Sequence, residues 1–236
     1  MPTPDTPTIS EHILEIRYAP NPKILDYRGT WAEMVSQLMG LKEWRITENR
    51  IDVFEIDESR RAFVSFKNAG VVIHNSPTQN YFPDQTNKLL RFLLEQKSFG
   101  NPLFVIRLGV RSRFATTFAG SFKELLERYS TRFFTLTLEA KNAFNAEIID
   151  IGFPLNFSTN LGKINTNSGP MEKDQLEKIF RFEEKENLPD VALYVDLDYW
   201  IRPEKLLEGK DILKIIRTFA EEIWDTHERV RTLILG

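Results

Sequence analysis

The sequence has no cysteine and only three histidines in 236 residues. Without cysteine there is no disulfide, no cysteine nucleophile, no zinc ribbon and no thiolate-held iron–sulfur cluster. His12, His74 and His227 lie far apart, and none falls in an HxH, HxxxH or HExxH spacing, so no local metal motif is present. Glycine-rich phosphate loops (GxGxxG, GxxxxGK[ST]) and the GxSxG nucleophile elbow are missing too. No apolar run approaches the roughly 20 residues that span a bilayer. The opening MPTPDTPTIS has neither a basic n-region nor an apolar h-region. These absences set the expectation of a cytoplasmic chain with no membrane partner, no cofactor and no metal, more a binding protein than an enzyme.

Charge of one sign is also in short supply. The net charge is −3 and the isoelectric point near 5.8, which argues against binding nucleic acid by bulk charge, though not against a local basic patch. What is abundant is phenylalanine, with 18 copies. Phe buries a large area and needs no hydrogen bond, so it suits a thick core or a surface that faces a partner.

Periodicity gives an α+β pattern. Strands are expected at His12–Tyr18, within Trp44–Ile56 around a turn at 47–49, and at Arg61–Phe66 and Val71–His74 across an Asn- and Gly-bearing turn. Further strands are expected at Leu103–Phe114, Glu147–Thr159 and Val191–Trp200. Helices are expected over Tyr27–Met39 with Gly40 as its cap, Pro83–Phe99, Ser121–Phe134, the first half of Met171–Asn187, and Asp211–Leu233. Ser121 followed by Glu124 matches a capping box. Asn160–Pro170, with three Asn and two Gly, reads as a loop or a short edge hairpin. The expected fold is mainly antiparallel sheet with helices on one face. It would comprise a flexible arm over 1–10 and two ferredoxin-like-sized halves, 11–134 and 145–236, sharing one core.

Chemistry concentrates on VALYVDLDYW at Val191–Trp200. Strand alternation puts Asp196, Asp198 and Trp200 on one face, the carboxylates about 7 Å apart. With a third oxygen ligand from Asp150, Glu15 or Glu147 they could hold a divalent ion. A second reading sets them against the row Arg107, Arg111 and Arg113 and against Arg17 as cross-strand ion pairs. The arginine row could instead grip phosphates, with Tyr194 and Trp200 as stacking surfaces. Proximity to the arginines or to other carboxylates decides between these. His227 falls on the apolar stripe of the last helix, the position of a core histidine.

The strand ILEIRY, the hairpin RAFVSFKNAGVVIHN, the helix YFPDQTNKLLRFLLE, the strand VIRLGVRSRF and VDLDYW before a long terminal helix together resemble the TIGR04255 family of sporadically distributed bacterial proteins. That resemblance implies a shared fold and a bacterial origin, and assigns no reaction. The family's sporadic distribution suggests mobile, defence-type loci. The expected function is therefore a non-enzymatic protein-interaction component of a bacterial antiviral-defence or toxin–antitoxin type system, with another protein as partner. The alternative is a nucleic-acid or nucleotide binding or processing protein working through Arg107, Arg111, Arg113, Asp196, Asp198 and Trp200.

Overall fold

In the computed structural model, residues 7–96, 104–134, 142–143, 145–146 and 148–236 are described. Nine strands form one fully antiparallel sheet: β1 (Thr8–Tyr18), β2 (Glu43–Ile46), β3 (Arg50–Phe54), β4 (Arg60–Ser65), β5 (Asn68–His74), β6 (Val105–Thr117), β7 (Leu155–Ser158), β8 (Lys163–Glu172) and β9 (Val191–Ile201). Their order across the sheet is β2-β3-β4-β5-β1-β6-β9-β8-β7. Among the described residues five α-helices of seven residues or more accompany it: α1 (Arg28–Met39), α2 (Tyr81–Glu95), α3 (Phe122–Phe133), α4 (Lys173–Ile179) and α5 (Gly209–Leu235).

The expected α+β class with antiparallel sheet is present, and the two halves are continuous. β6 pairs with β1 along Thr8–Tyr18 on one side and with β9 along Ala192–Ile201 on the other. The four longer helices supply the apolar layer. Trp31 and Val35 of α1, Leu89 and Leu93 of α2, Leu125 and Tyr129 of α3, and Ile212, Ile216, Phe219 and Ile223 of α5 are buried in one cluster with Leu14, Ile16, Val110, Phe114, Val195 and Leu197 of the central strands. Each such burial contributes about 1.5–3 kcal/mol against the entropy of ordering the chain. Gly40 ends α1 in the left-handed region at φ 65°, and the Ser121 hydroxyl accepts the Glu124 amide at the start of α3, as their positions predict.

The sheet also carries a small second core on its opposite face. There α4 and the segment after it place Leu176, Phe180 and Leu188 on Ala115, Ala192 and Tyr194. The small residues Ala115 and Ala192 leave room for this layer at one end of a face that is otherwise polar.

Several expectations need correction. Residues 8–10, placed in a flexible arm, belong to β1, where Thr8, Ile9 and Ser10 pair with Thr116, Ala115 and Phe114; residues 1–6 lie outside the described residues. The alternating run Glu147–Thr159 is not one strand. Only Leu155–Ser158 pairs, and Phe153 reaches the sheet through a single bond, its N–H donating to the Ser168 carbonyl at 2.8 Å. Phe153 instead packs on Phe133 and Phe134; Glu147 is outside the described residues. Of the two readings of the Asn- and Gly-rich segment, a loop or a short edge hairpin, the structure has the hairpin: its residues begin β8, which pairs with β7 at the sheet edge and with β9 over ten residues from Lys163–Trp200 to Glu172–Val191. Its turn chemistry is used at 159–162, where Thr159 and Gly162 bond to each other at the head of the β7–β8 hairpin. The remaining boundaries shift by a few residues, and 97–99 and 103 lie outside the described residues.

Candidate functional site

Strand parity sorts the charged residues onto the face opposite the four longer helices. The registers Glu15–Gly109, Arg111–Asp198, Arg113–Asp196, Asn165–Asp198 and Lys163–Trp200 lay out one polar field across β1, β6, β9 and β8. All six residues singled out by sequence fall within it. The aspartates meet arginines and not other carboxylates. Arg111 grips Asp196 with two parallel bonds, Nε to Oδ1 at 2.8 Å and Nη2 to Oδ2 at 2.5 Å. Arg107 Nη2 lies 3.2 Å from Asp198 Oδ2, and its Nη1 3.7 Å from Glu15. Arg113 reaches Glu11 at 2.8 Å and Asp196 at 4.0 Å. Arg17 is taken by Glu15 on its own strand, at 2.9 Å.

The pairing runs diagonally. Register sets Arg111 opposite Asp198, yet its guanidinium leans along the strand to Asp196, a reach that long side chains have across neighbouring strands. The bidentate bond that Arg111 donates to Asp196 holds its guanidinium well above its ordinary pKa. Burial raises the Asp198 carboxyl, and the charges of Arg107 and Arg111 and the bond from Asn165 do not fully offset it. At Glu11 burial pulls the same way, but the bond from His74 and the charge of Arg113 outweigh it and its pKa is lowered.

The proposed third metal ligands are not assembled. Asp150 caps its own Ile151 amide and accepts from Gln175 at 3.3 Å, and Glu15 is occupied by Arg17 and by Asn68 at 2.9 Å. Among the described residues no group of three or more acidic or histidine side chains could hold a metal ion. Asp196 and Asp198 are the acidic half of an ion-pair network that ties β1, β6 and β9 together.

Trp200 has a different environment. The Arg107 guanidinium, the Lys163 ammonium and the Arg202 guanidinium lie 5.2, 5.3 and 5.6 Å from the centre of its ring, within cation–π range. Among the described residues, neither Lys163 nor Arg202 forms an ion pair. Sequence reasoning missed both: Lys163 fell in the segment read as a loop or a short edge hairpin, and Arg202 lies just past the expected strand Val191–Trp200.

Concave surface lies elsewhere. Two cavities, of about 510 and 420 Å³, flank His74, whose ring stacks on Phe182 at 3.5 Å. A third, a groove of about 600 Å³, runs between α1 and α2, lined by Met34, Leu38, Phe92, Lys88, Arg91 and Glu95 among others. Met34 and Leu38 are 40% and 42% exposed one turn apart, unusual for large apolar side chains on a helix that already buries Trp31 and Val35. Leu38 appears in the sequence as part of the apolar stripe; that it is left uncovered depends on how α2 is placed.

No protein-family model matches the chain, and no curated protein matches it. Among the described residues no helix is long and apolar enough to cross a membrane.

Proposed function

We propose that this chain is a non-enzymatic protein-interaction component that holds a partner protein in the groove between α1 and α2. The observation that carries this reading is the pair Met34 and Leu38, exposed one turn apart in a groove that Phe92, Lys88 and Arg91 also line. An apolar floor with a polar rim is the anatomy of a protein-docking groove, and its form suits an amphipathic helix offering apolar residues at i and i+4. The ion pairing of Arg107, Arg111 and Arg113 with Asp198, Asp196 and Glu11 supports the same reading, because those side chains already satisfy one another. The resemblance to a sporadically distributed bacterial family adds the setting, a defence or toxin–antitoxin type locus. The test is co-expression with the products of adjacent genes followed by size-exclusion chromatography. A partner should co-elute with the native chain and be lost from Met34→Asp/Leu38→Asp, whose circular dichroism should stay native. A chain that captures none of these products, or that keeps its partner in the double variant, would count against the groove.

One observation favours a second reading, nucleic-acid or nucleotide binding: the three cations around Trp200. It predicts that binding of single-stranded RNA or DNA weakens steeply with salt and drops on Arg107→Ala, Lys163→Ala or Arg202→Ala. Retention of binding in all three variants would sink it.

A further inference from the structure

The sheet ends at β2, and this edge has a self-complementary pattern. The Thr47 amide donates to the Arg50 carbonyl at 2.9 Å, closing the β2–β3 hairpin. Hydrogen-bonded pairs alternate along an antiparallel ladder. With Thr47–Arg50 bonded, Arg45–Asp52 and Glu43–Phe54 are the next bonded pairs in this register. Trp44 and Ile46 therefore turn their N–H and C=O groups away from β3, to the open edge. All four residues of β2 are exposed, Trp44 by 57% and Ile46 by 42%. Among the described residues Glu43 and Arg45 form no ion pair, and Arg45 rests over the Phe54 ring at 5.6 Å. An open edge of this kind is a template for another strand.

We propose that two copies of the chain join β2 to β2, antiparallel, about a twofold axis through Trp44 and perpendicular to the sheet, so that two sheets become one. That axis keeps the helices of both copies on the same side. It sets Trp44 opposite Trp44 of the second copy, in a bonded pair in which each amide donates to the other's carbonyl. Ile46 and Lys42 then form the flanking bonded pairs. Glu43 of each copy faces Arg45 of the other in the non-bonded positions, where side chains approach most closely. Both ion pairs lie on the polar face and the indole pair on the helix face. Centring on Arg45 would still bond through Trp44 and Ile46 but would set the two Arg45 side chains opposite each other in a non-bonded pair; centring on Ile46 would lose both ion pairs. The two α1 helices would stand about 10–14 Å apart, from strand spacings of ~4.8 Å, at or beyond the usual 8–10 Å packing distance, so the indoles fill the space between them. The same five residues, Lys42 to Ile46, supply both halves, which is the requirement of an isologous interface.

The occupant can be tested by charge reversal. Sedimentation velocity across about 1–200 µM should show a concentration-dependent dimer. Glu43→Lys alone and Arg45→Glu alone each place like charges opposite one another twice, and each should weaken the dimer by about tenfold or more. Mixing the two variants restores both ion pairs and should restore a heterodimer. A chain that is monomeric throughout overturns the proposal, and so does a dimer indifferent to both reversals, which would have formed through another surface.

Discussion

The two histidines on the helix side of the sheet make stability depend on pH. His12 and His227 are each 1% exposed. His12 Nδ1 bonds the Ser112 hydroxyl at 2.8 Å, and His227 Nε2 bonds Thr116 Oγ1 at 3.1 Å. Phe114 lies between them, stacked on His227 at 4.0 Å and edge-on to His12 at 5.6 Å, while Trp224 and Phe82 enclose His12. Burial pushes His12 down to about 4, with Glu11 opposing the shift and His227 and His74 reinforcing it. Burial likewise pushes His227 down to about 4, with Glu228 opposing and Arg231 reinforcing.

The unfolded chain takes up protons near the ordinary histidine value of about 6.5, and the folded chain only near 4. Between these values the unfolded state binds more protons, so stability falls as pH falls from about 6.5 toward 4. From pH 7.5 to 5 each histidine removes about 2 kcal/mol, so the pair removes about 4 kcal/mol, a large part of the ~5–15 kcal/mol of a typical domain. Glu11 and Glu15, lowered in the folded state, add to the loss at still lower pH, while the raised Asp198 carboxyl opposes it. Urea unfolding at several pH values measures the slope, which should approach two protons between pH 6 and 5. The His12→Gln/His227→Gln double variant should lose that uptake. A slope below about one proton in the native chain, or an unchanged slope in the variant, would refute the reasoning.

Arg111→Ala leaves Asp196, 8% exposed, with the Tyr194 hydroxyl at 3.3 Å and the distant Arg113 and should cost about 1–3 kcal/mol in chemical denaturation. Asp196→Asn/Arg111→Ala should cost less than the sum of the single changes, as a double-mutant cycle would show. Gly70→Ala would drive its Cβ into the Leu14 carbonyl oxygen and the Phe63 ring; expected is a loss of about 3 kcal/mol or more, read from the urea midpoint. A divalent cation such as Mg²⁺ or Mn²⁺ should leave the melting temperature unchanged, because Asp196 and Asp198 are held by guanidinium groups; a rise of several degrees would reopen the metal reading.

How much of this was legible in the sequence depends on the range of the signal. Parity is local, so the shared face of Asp196, Asp198 and Trp200, and that of Arg107, Arg111 and Arg113, could be read directly. That the two faces are the same one needs a pairing partner. β6 is adjacent to both β1 and β9, and nothing within VIRLGVRSRF identifies which strands those are. The start of β8 was legible only as one of two alternatives, a loop or a short edge hairpin. Its Asn, Gly and Ser content has the propensity of a loop, but ten residues of pairing with the strongly apolar β9 and the buried Ser168, whose hydroxyl lies 2.7 Å from the Tyr129 hydroxyl, override that preference. The run from Ile149 to Phe157 pairs only from Leu155, with Phe153 continuing the same register onto Ser168; the next bonded partner in that register is Pro170, which has no N–H to donate, so alternation alone does not extend the strand. The same dependence bears on the groove. Leu38 reads as an ordinary member of a helical stripe, and it is left exposed beside Met34 because α1 settles over β2 and β3 with Trp31 and Val35 inward. Residues whose role is fixed by neighbours in sequence were therefore identified, while those fixed by strand order or by helix placement, Lys163 and Met34 among them, were not.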